Sequence, residues 1–383
     1  MEWKPWLTRW SEEWVRGTDP DELDPEVARG RWLGFAPATP EAVAAAEERI
    51  GRTLPPSYRE FLLTTDGWRD AGCFVWRLRD TGNVAWLRDV EPYWEEWEGP
   101  GEDGVASPDG NKFSRGLMIS LEADAGVLFL DSGDVDDQGE WAAYSLFSWR
   151  AAPPERFPSF AALMESLYAE FHRMRRPEGD TRDAWDDAVE QARLDALAGE
   201  VDGAEARLAQ AGEFGRDRAA VLRAQLLYFL DRSYEAARLL HPSFVPEGFV
   251  GSPLFTEEFL PLLFAEHAAE ASRGRGSILR SALNGDSDEL QLVVARYQAR
   301  LRRGEHRLVF GDPGFDALVH QALERHAADP DALWQAVRDA LPHWRPRSDD
   351  HIAPVVLLAE PVLAATLTPE RGRRLLSTPR GGR

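Results

Sequence analysis

Between Arg31 and Trp68 the apolar positions fall into two short helical stripes. Val43, Ala46 and Ile50 share one face of a predicted helix that opens on Thr39 as N-cap, carries Pro40 at its first position and Glu41 in its first turn, and stops at Gly51. Tyr58, Phe61, Leu62 and Thr65 recur at i, i+3, i+4 and i+7 in a second helix, which begins near Pro56 and ends at Asp66-Gly67. Gly51-Arg52-Thr53-Leu54-Pro55-Pro56 forms the elbow between them. Helices this short must bury their stripes against something larger.

Upstream, Trp3, Trp6, Trp10 and Trp14 are spaced three to four apart, which predicts an amphipathic helix laid across the domain that follows. From Cys73 the period shortens to that of strands. Cys73 to Arg79, Val84 to Leu87, Leu117 to Leu121, Gly126 to Leu130 and Trp141 to Phe147 are short runs rich in aromatic and branched residues. The segments Glu122 to Ala125 and Asp131 to Glu140 read as connecting loops. A closing helix is expected from Phe160 to Met174, with Phe160, Leu163, Leu167, Tyr168 and Phe171 on one face. Helices, then an antiparallel meander, then a flanking helix make an α+β domain, expected over residues 1–176.

Arg175 to Thr181 reads as a linker, and beyond it strand signals nearly vanish. An all-α domain is expected over 182–383, beginning with helices at Asp183 to Ala198, Gly203 to Ala211, Arg216 to Leu230 and Tyr234 to Leu240. Glu205-Ala206-Arg207-Leu208 resembles Ala236-Ala237-Arg238-Leu239 at an offset of 31 residues, which suggests repeat-like helical hairpins. Further helices are expected at Thr256 to Ser272, Asp286 to Arg302, Pro313 to Ala327 and Pro330 to Leu341. Ile352 to Thr366, interrupted by Pro354 and Pro361, reads as a broken apolar helix. A final helix is expected from Thr368-Pro369-Glu370, before a basic tail with Arg371, Arg373, Arg374, Arg380 and Arg383 that reads as disordered.

Charge narrows the function classes. The formal net charge is −22, which argues against direct binding to nucleic acid or anionic membrane and suits a basic partner. No apolar run reaches membrane-spanning length and no secretory leader is visible, so a cytoplasmic protein is expected. One cysteine, Cys73, excludes an internal disulfide and reads as an inert thiol in an aromatic strand. Only two of the 44 basic residues are lysine.

Several residues of the first domain carry a resemblance to a known family. Leu33-Gly34-Phe35, the helix end Glu47-Glu48-Arg49-Ile50-Gly51, the elbow Leu54-Pro55-Pro56-Ser57-Tyr58, and Phe61-Leu62-Leu63 leading to Asp66-Gly67-Trp68 resemble the SUKH superfamily, in the branch typified by fungal Smi/Knr-type cell-wall regulators. The resemblance covers about residues 31–174. It implies a binding domain without shared catalytic residues, and it implies an immunity-type role: stoichiometric neutralisation of a cognate bacterial protein toxin, such as a nuclease. The competing expectation is an intracellular regulatory scaffold whose helical domain recruits an endogenous protein.

The search for chemistry supports a non-enzyme. None of the histidines forms a His-Glu-x-x-His pair, and phosphate-loop, dinucleotide and Gly-x-Ser-x-Gly motifs are lacking, so no catalytic residue, cofactor or metal site is expected. A loop starting at Asp134 has calcium-like spacing but offers Ser145 where a bidentate glutamate is needed. One charge feature exceeds the background: from Asp89 to Glu140 there are 15 acidic residues against Lys112 and Arg115. Glu91, Glu95, Glu96, Glu98, Asp134, Asp136 and Asp137, with Trp86, Tyr93, Trp94 and Trp97 interleaved, are the candidate partner-binding residues. Carboxylates would steer a cationic protein in, and the aromatics would anchor it.

Overall fold

The computed structural model describes residues 1–97, 111–241, 244–272, 287–305 and 307–380. The chain divides into two compact units, Met1–Arg182 and Asp183–Arg383.

In the first unit, α1 (Trp3–Gly17) and the short α2 (Pro25–Gly30) precede α3 (Pro40–Ile50) and α4 (Pro56–Thr64). The start signals read from sequence are physically in place. Thr39 Oγ1 accepts the Ala42 amide, and Gly51 closes α3 in the left-handed region at φ +70°. Val43, Ala46, Ile50, Tyr58, Phe61, Leu62 and Thr65 are all buried. The surface they meet includes α1 and α6 (Phe160–Arg175). Trp3 lies against Phe61 and Phe160 at 5.4 and 5.6 Å, Trp10 against Tyr168 at 5.1 Å, and Trp14 against Phe171 at 4.8 Å. Aromatic pairs of this kind add about 0.5–1.5 kcal/mol each beyond burial, so the tryptophan stripe is core rather than a binding face.

The strands are β1 (Trp68–Arg69), β2 (Val75–Leu78), β3 (Ala85–Trp86), β4 (Gly116–Met118), β5 (Ser120–Ala123), β6 (Gly126–Val135), β7 (Trp141–Phe147) and β8 (Glu155–Phe157). Among the described residues they form two antiparallel sheets, ordered β1-β2-β5 and β3-β4-β6-β7-β8. The run Leu117 to Leu121, expected as one strand, switches sheets at buried Ile119. There the Ile119 carbonyl accepts Arg79 N (2.8 Å) and its amide donates to Leu128 O (2.9 Å). The expected loop from Asp131 is also corrected: β6 continues to Val135, because Asp131 is buried against Arg115 and pairs in register with Ala142. Val84 to Leu87 is strand only at Ala85–Trp86; Leu87–Val90 turns helical as α5.

The segment expected as a linker is pinned to the first unit. Arg16 Nη1 donates to Glu178 O at 2.6 Å, and the Thr181 amide donates to Glu13 Oε1 at 3.2 Å.

The second unit is helical: α7 (Asp180–Ala198), α8 (Val201–Glu213), α9 (Asp217–Phe229), α10 (Ser233–Leu239), a π-helical turn Phe255–Phe259 into α11 (Leu260–Ser272), α12 (Asp288–Arg302), α13 (Pro313–His326), α14 (Pro330–Ala340), α15 (Pro361–Thr366) and α16 (Pro369–Leu376). Asp286, an expected helix start, lies outside the described residues. Of the broken apolar helix expected over Ile352 to Thr366, Pro361–Thr366 is helical, whereas Ile352 to Ala359 is a buried thread ending in a 3-10 turn. Gln225 holds it, its Oε1 accepting the amides of Ile352 and Ala353 at 2.8 and 3.1 Å. Fully buried Glu258 accepts Val356 N at 3.1 Å and Arg347 Nε at 2.9 Å. The expected disordered tail is likewise ordered through Arg380. Its guanidinium is buried and donates to the carbonyls of Ile352 and Leu376, and its amide donates to Leu197 O. Arg383 lies outside the described residues.

Candidate functional site

The candidate residues divide by what their side chains already do. After β3 the chain makes α5 and then a 3-10 turn, Pro92–Trp97, which lies over the larger sheet. Trp94 drives that placement. It is 3% exposed and joins Leu87, Phe113, Met118, Phe129 and Tyr144 in one cluster, with Met118, Phe129 and Tyr144 in register across β4, β6 and β7. Glu91 fixes the turn, its Oε2 accepting Trp94 Nε1 at 2.8 Å and the Tyr93 hydroxyl at 3.0 Å. Partial burial, and next the Glu91 carboxylate, push the Tyr93 phenol pKa up.

Trp86 is half-buried. Its Nε1 donates to Ile50 O at 3.1 Å and its ring stacks on Trp141 at 6.4 Å. Asp134 is held by Arg156 through two bonds of 2.7 and 2.8 Å and accepts Tyr144 Oη at 3.1 Å. The Arg156 hydrogen bonds keep its carboxyl below the usual carboxylate range. Asp136 Oδ1 closes the β6–β7 turn by accepting the amides of Gln138 and Glu140 at 2.8 and 2.9 Å. These carboxylates therefore serve the hairpin.

What remains turned outward is smaller: Tyr93 at 53% exposure, Trp97 at 45%, exposed Glu96, half-buried Glu95, and, on the hairpin, Asp137. Glu98 lies outside the described residues. The local negative excess is thus partly answered internally, with Asp131 on Arg115 and Asp134 on Arg156.

Sequence reasoning did not reach a buried polar knot in the same unit. Glu13 of α1 and His172 of α6 are 2% and 1% exposed, with Oε2 and Nε2 2.9 Å apart. The Tyr168 hydroxyl also donates to Glu13. The heptad-like aromatic stripe carried no sign of it, because the partners lie more than 150 residues apart.

The helix end and elbow singled out in the sequence are tied together by their own polar groups. Thr65 Oγ1 donates to Gly67 O and accepts the Phe35 amide, both at 2.8 Å. Asp66 accepts the amide and hydroxyl of Thr81 at 2.7 and 2.9 Å. Glu47 accepts the Leu54 amide at 3.0 Å across the elbow. Gly67 stands at φ +97° with Leu78 O 3.2 Å from where a Cβ would be, a backbone place that favours glycine. Residues 37–166 match the SMI1 / KNR4 family (SUKH-1). The chain contains a SUKH-1 domain. No curated protein and no solved structure matches the chain.

SUKH superfamily membership is broadly linked to toxin immunity and protein binding, and SUKH domains are generally non-catalytic scaffolds. In this SUKH-1 domain Thr65, Asp66, Gly67 and Glu47 hold the fold. Among the described residues no group of three or more His, Cys, Asp or Glu could hold a metal ion. No described helix is long and apolar enough to cross a membrane. Cys73 is half-buried, and burial, with Glu170 adding its charge, pushes its thiol pKa up, away from nucleophilic use.

Proposed function

We propose that the chain is an immunity-type binding protein that neutralises a cognate bacterial protein toxin by stoichiometric complex formation. The reading is supported by the SUKH-1 match together with one observation: Tyr93 and Trp97 stand exposed beside Glu95 and Glu96 on a turn anchored by buried Trp94. Exposed aromatics on a rigid base make anchors, and neighbouring carboxylates favour a basic partner surface. A nuclease fits that description, since a surface that binds phosphates is cationic. Cytoplasmic neutralisation follows from the same reading.

Co-expression with a toxin domain encoded beside it tests this. The chain should restore growth and co-purify with the toxin in equal amounts. Combined Glu95→Lys and Glu96→Lys should weaken the complex and flatten its salt dependence. A soluble chain that neither rescues growth nor binds would sink the reading. Rescue that survives charge reversal would move the interface elsewhere.

A further inference from the structure

A second feature of the first unit is independent of the toxin reading. A shallow, open pocket of about 480 Å³ lies beside α1 and α2, lined in part by Lys4, Glu26, Trp32, Gly34, Phe35 and Arg69. That volume falls within the roughly 300–1,000 Å³ of small-ligand sites. Its aromatic walls are held from behind. Trp32 meets buried Trp68 edge-on at 5.2 Å and 88°, and its Nε1 donates to Phe35 O at 3.4 Å. Phe35 lies 3.9 Å under the Arg69 guanidinium, with Arg77 at 5.0 Å. Gly34 is packed so closely that a Cβ would collide with the Thr65 hydroxyl and sit 2.7 Å from the Trp32 ring.

The cations are placed for an anion. Arg69 is fixed by its Nη1 bond to Gly34 O at 3.1 Å, while its Nη2 holds the Glu26 carboxylate at 2.6 Å and its Nε faces the Asp24 carboxylate at 3.5 Å. Glu26 is 69% exposed on a six-residue helix, so the protein itself shows a carboxylate seated on Arg69 from the solvent side. Lys4 Nζ sits 3.5 Å above the Trp32 ring with no described carboxylate within ion-pair distance. In a chain of net charge −22 with two lysines, one of them faces an aromatic-walled pocket.

The geometry points to a binding site for a carboxylate carried on a flat apolar group, with Lys4 and Arg69 on the charge and Trp32 and Phe35 against the body. The carboxylate gains charge-assisted hydrogen bonds, and the flat group gains stacking surface that water does not supply. Two sources present this chemistry: a free aromatic acid, and the C-terminal carboxylate of a peptide ending in tryptophan.

Calorimetric titration of the full chain distinguishes them, with indole-3-acetate as one probe and a short Trp-terminated peptide as the other. Each is paired with its neutral amide. Saturable binding of either acid below about 1 mM is expected, with the amide weaker by about tenfold or more. Binding of indole-3-acetate assigns the free acid; binding of the peptide alone assigns a chain end. Lys4→Gln, at an exposed position, should weaken the acid about tenfold with an unchanged melting temperature. Phe35→Leu should weaken acid and amide alike. Absence of saturable binding by both acids overturns the proposal, as does an amide that binds as well as its acid or an acid indifferent to Lys4→Gln. The acid–amide comparison needs no variant, so it stands even where a substitution disturbs folding.

Discussion

Glu140, just before β7, takes both hydrogen-bond donors of Ser57 in the first turn of α4: the backbone amide at 2.8 Å and the hydroxyl at 2.7 Å. Pro55, the residue before α4, supplies no side-chain cap, so a glutamate 83 residues away caps this helix. Its charge also meets the positive end of the helix dipole. Glu140→Ala should lower stability by about 1–2 kcal/mol, and Glu140→Gln by less, in chemical denaturation. Equal stability of all three would remove the hairpin from the capping role.

The Glu13–His172 knot predicts a pH dependence. Burial opposes ionisation of Glu13, but hydrogen bonds from His172 and Tyr168, the His172 charge and the Thr181 amide outweigh it, so the folded pKa lies below the ordinary 4.5. A depressed carboxylate contributes stability that is present above its unfolded pKa and lost as pH falls through the folded one. Glu13→Gln should therefore destabilise at pH 7 and flatten the acid side of the stability profile below about pH 4.5. A variant whose acid limb parallels that of the parent would contradict this.

Asp70 predicts the reverse sign. Burial is the largest influence on its carboxyl, opposed by Arg175 and Arg69 and reinforced by Asp24, and the pKa rises to about 6. The folded state thus holds the proton more tightly than the unfolded chain, so the ionised group costs stability above that value and the cost fades as pH falls. Asp70 also sits at φ +50°, a region that asparagine tolerates. Asp70→Asn should raise the melting temperature at pH 7 and converge with the parent near pH 4. Equal or lower stability at pH 7 would show that the ionised group is better solvated than its burial indicates.

Glu91 and Trp97 should separate on substitution, although one turn holds both. Glu91→Gln weakens the acceptor of Trp94 Nε1 and Tyr93 Oη and should lower the melting temperature measurably. Trp97→Ala removes a half-exposed ring that packs on Trp94 at 5.7 Å and should cost about 1 kcal/mol or less while weakening partner binding. The two variants behaving alike would erase the distinction between scaffold and surface.

That distinction marks how far the sequence reading reached. Helices α1, α3, α4 and α6 were legible because their signals are local: Thr39 as cap, Gly51 as stop, and apolar residues recurring at 3.6. Strand ends were less so. Ile119 looks like mid-strand by composition, yet it is where two sheets exchange the chain, and that depends on Arg79 and Leu128, which lie elsewhere in sequence. Among the acidic and aromatic candidates, composition marked the right stretch but could not rank its members. Trp94 and Trp97 are the same residue type three positions apart, and only the sheet beneath decides which is buried.

By itself the sequence determined the α+β-then-helical order, the SUKH-1 elbow and the absence of recognisable catalytic motifs, because caps, periods and motif spacings are written within a few residues. Only the tertiary structure decided which carboxylates were spent. Asp134 goes to Arg156, Glu140 to Ser57 and Glu13 to His172, while Glu96 stays exposed. The reason is physical: a carboxylate is spent on whatever hydrogen-bond donor the fold brings within about 3 Å, and for Glu140 and Glu13 those partners lie 83 and 159 residues away.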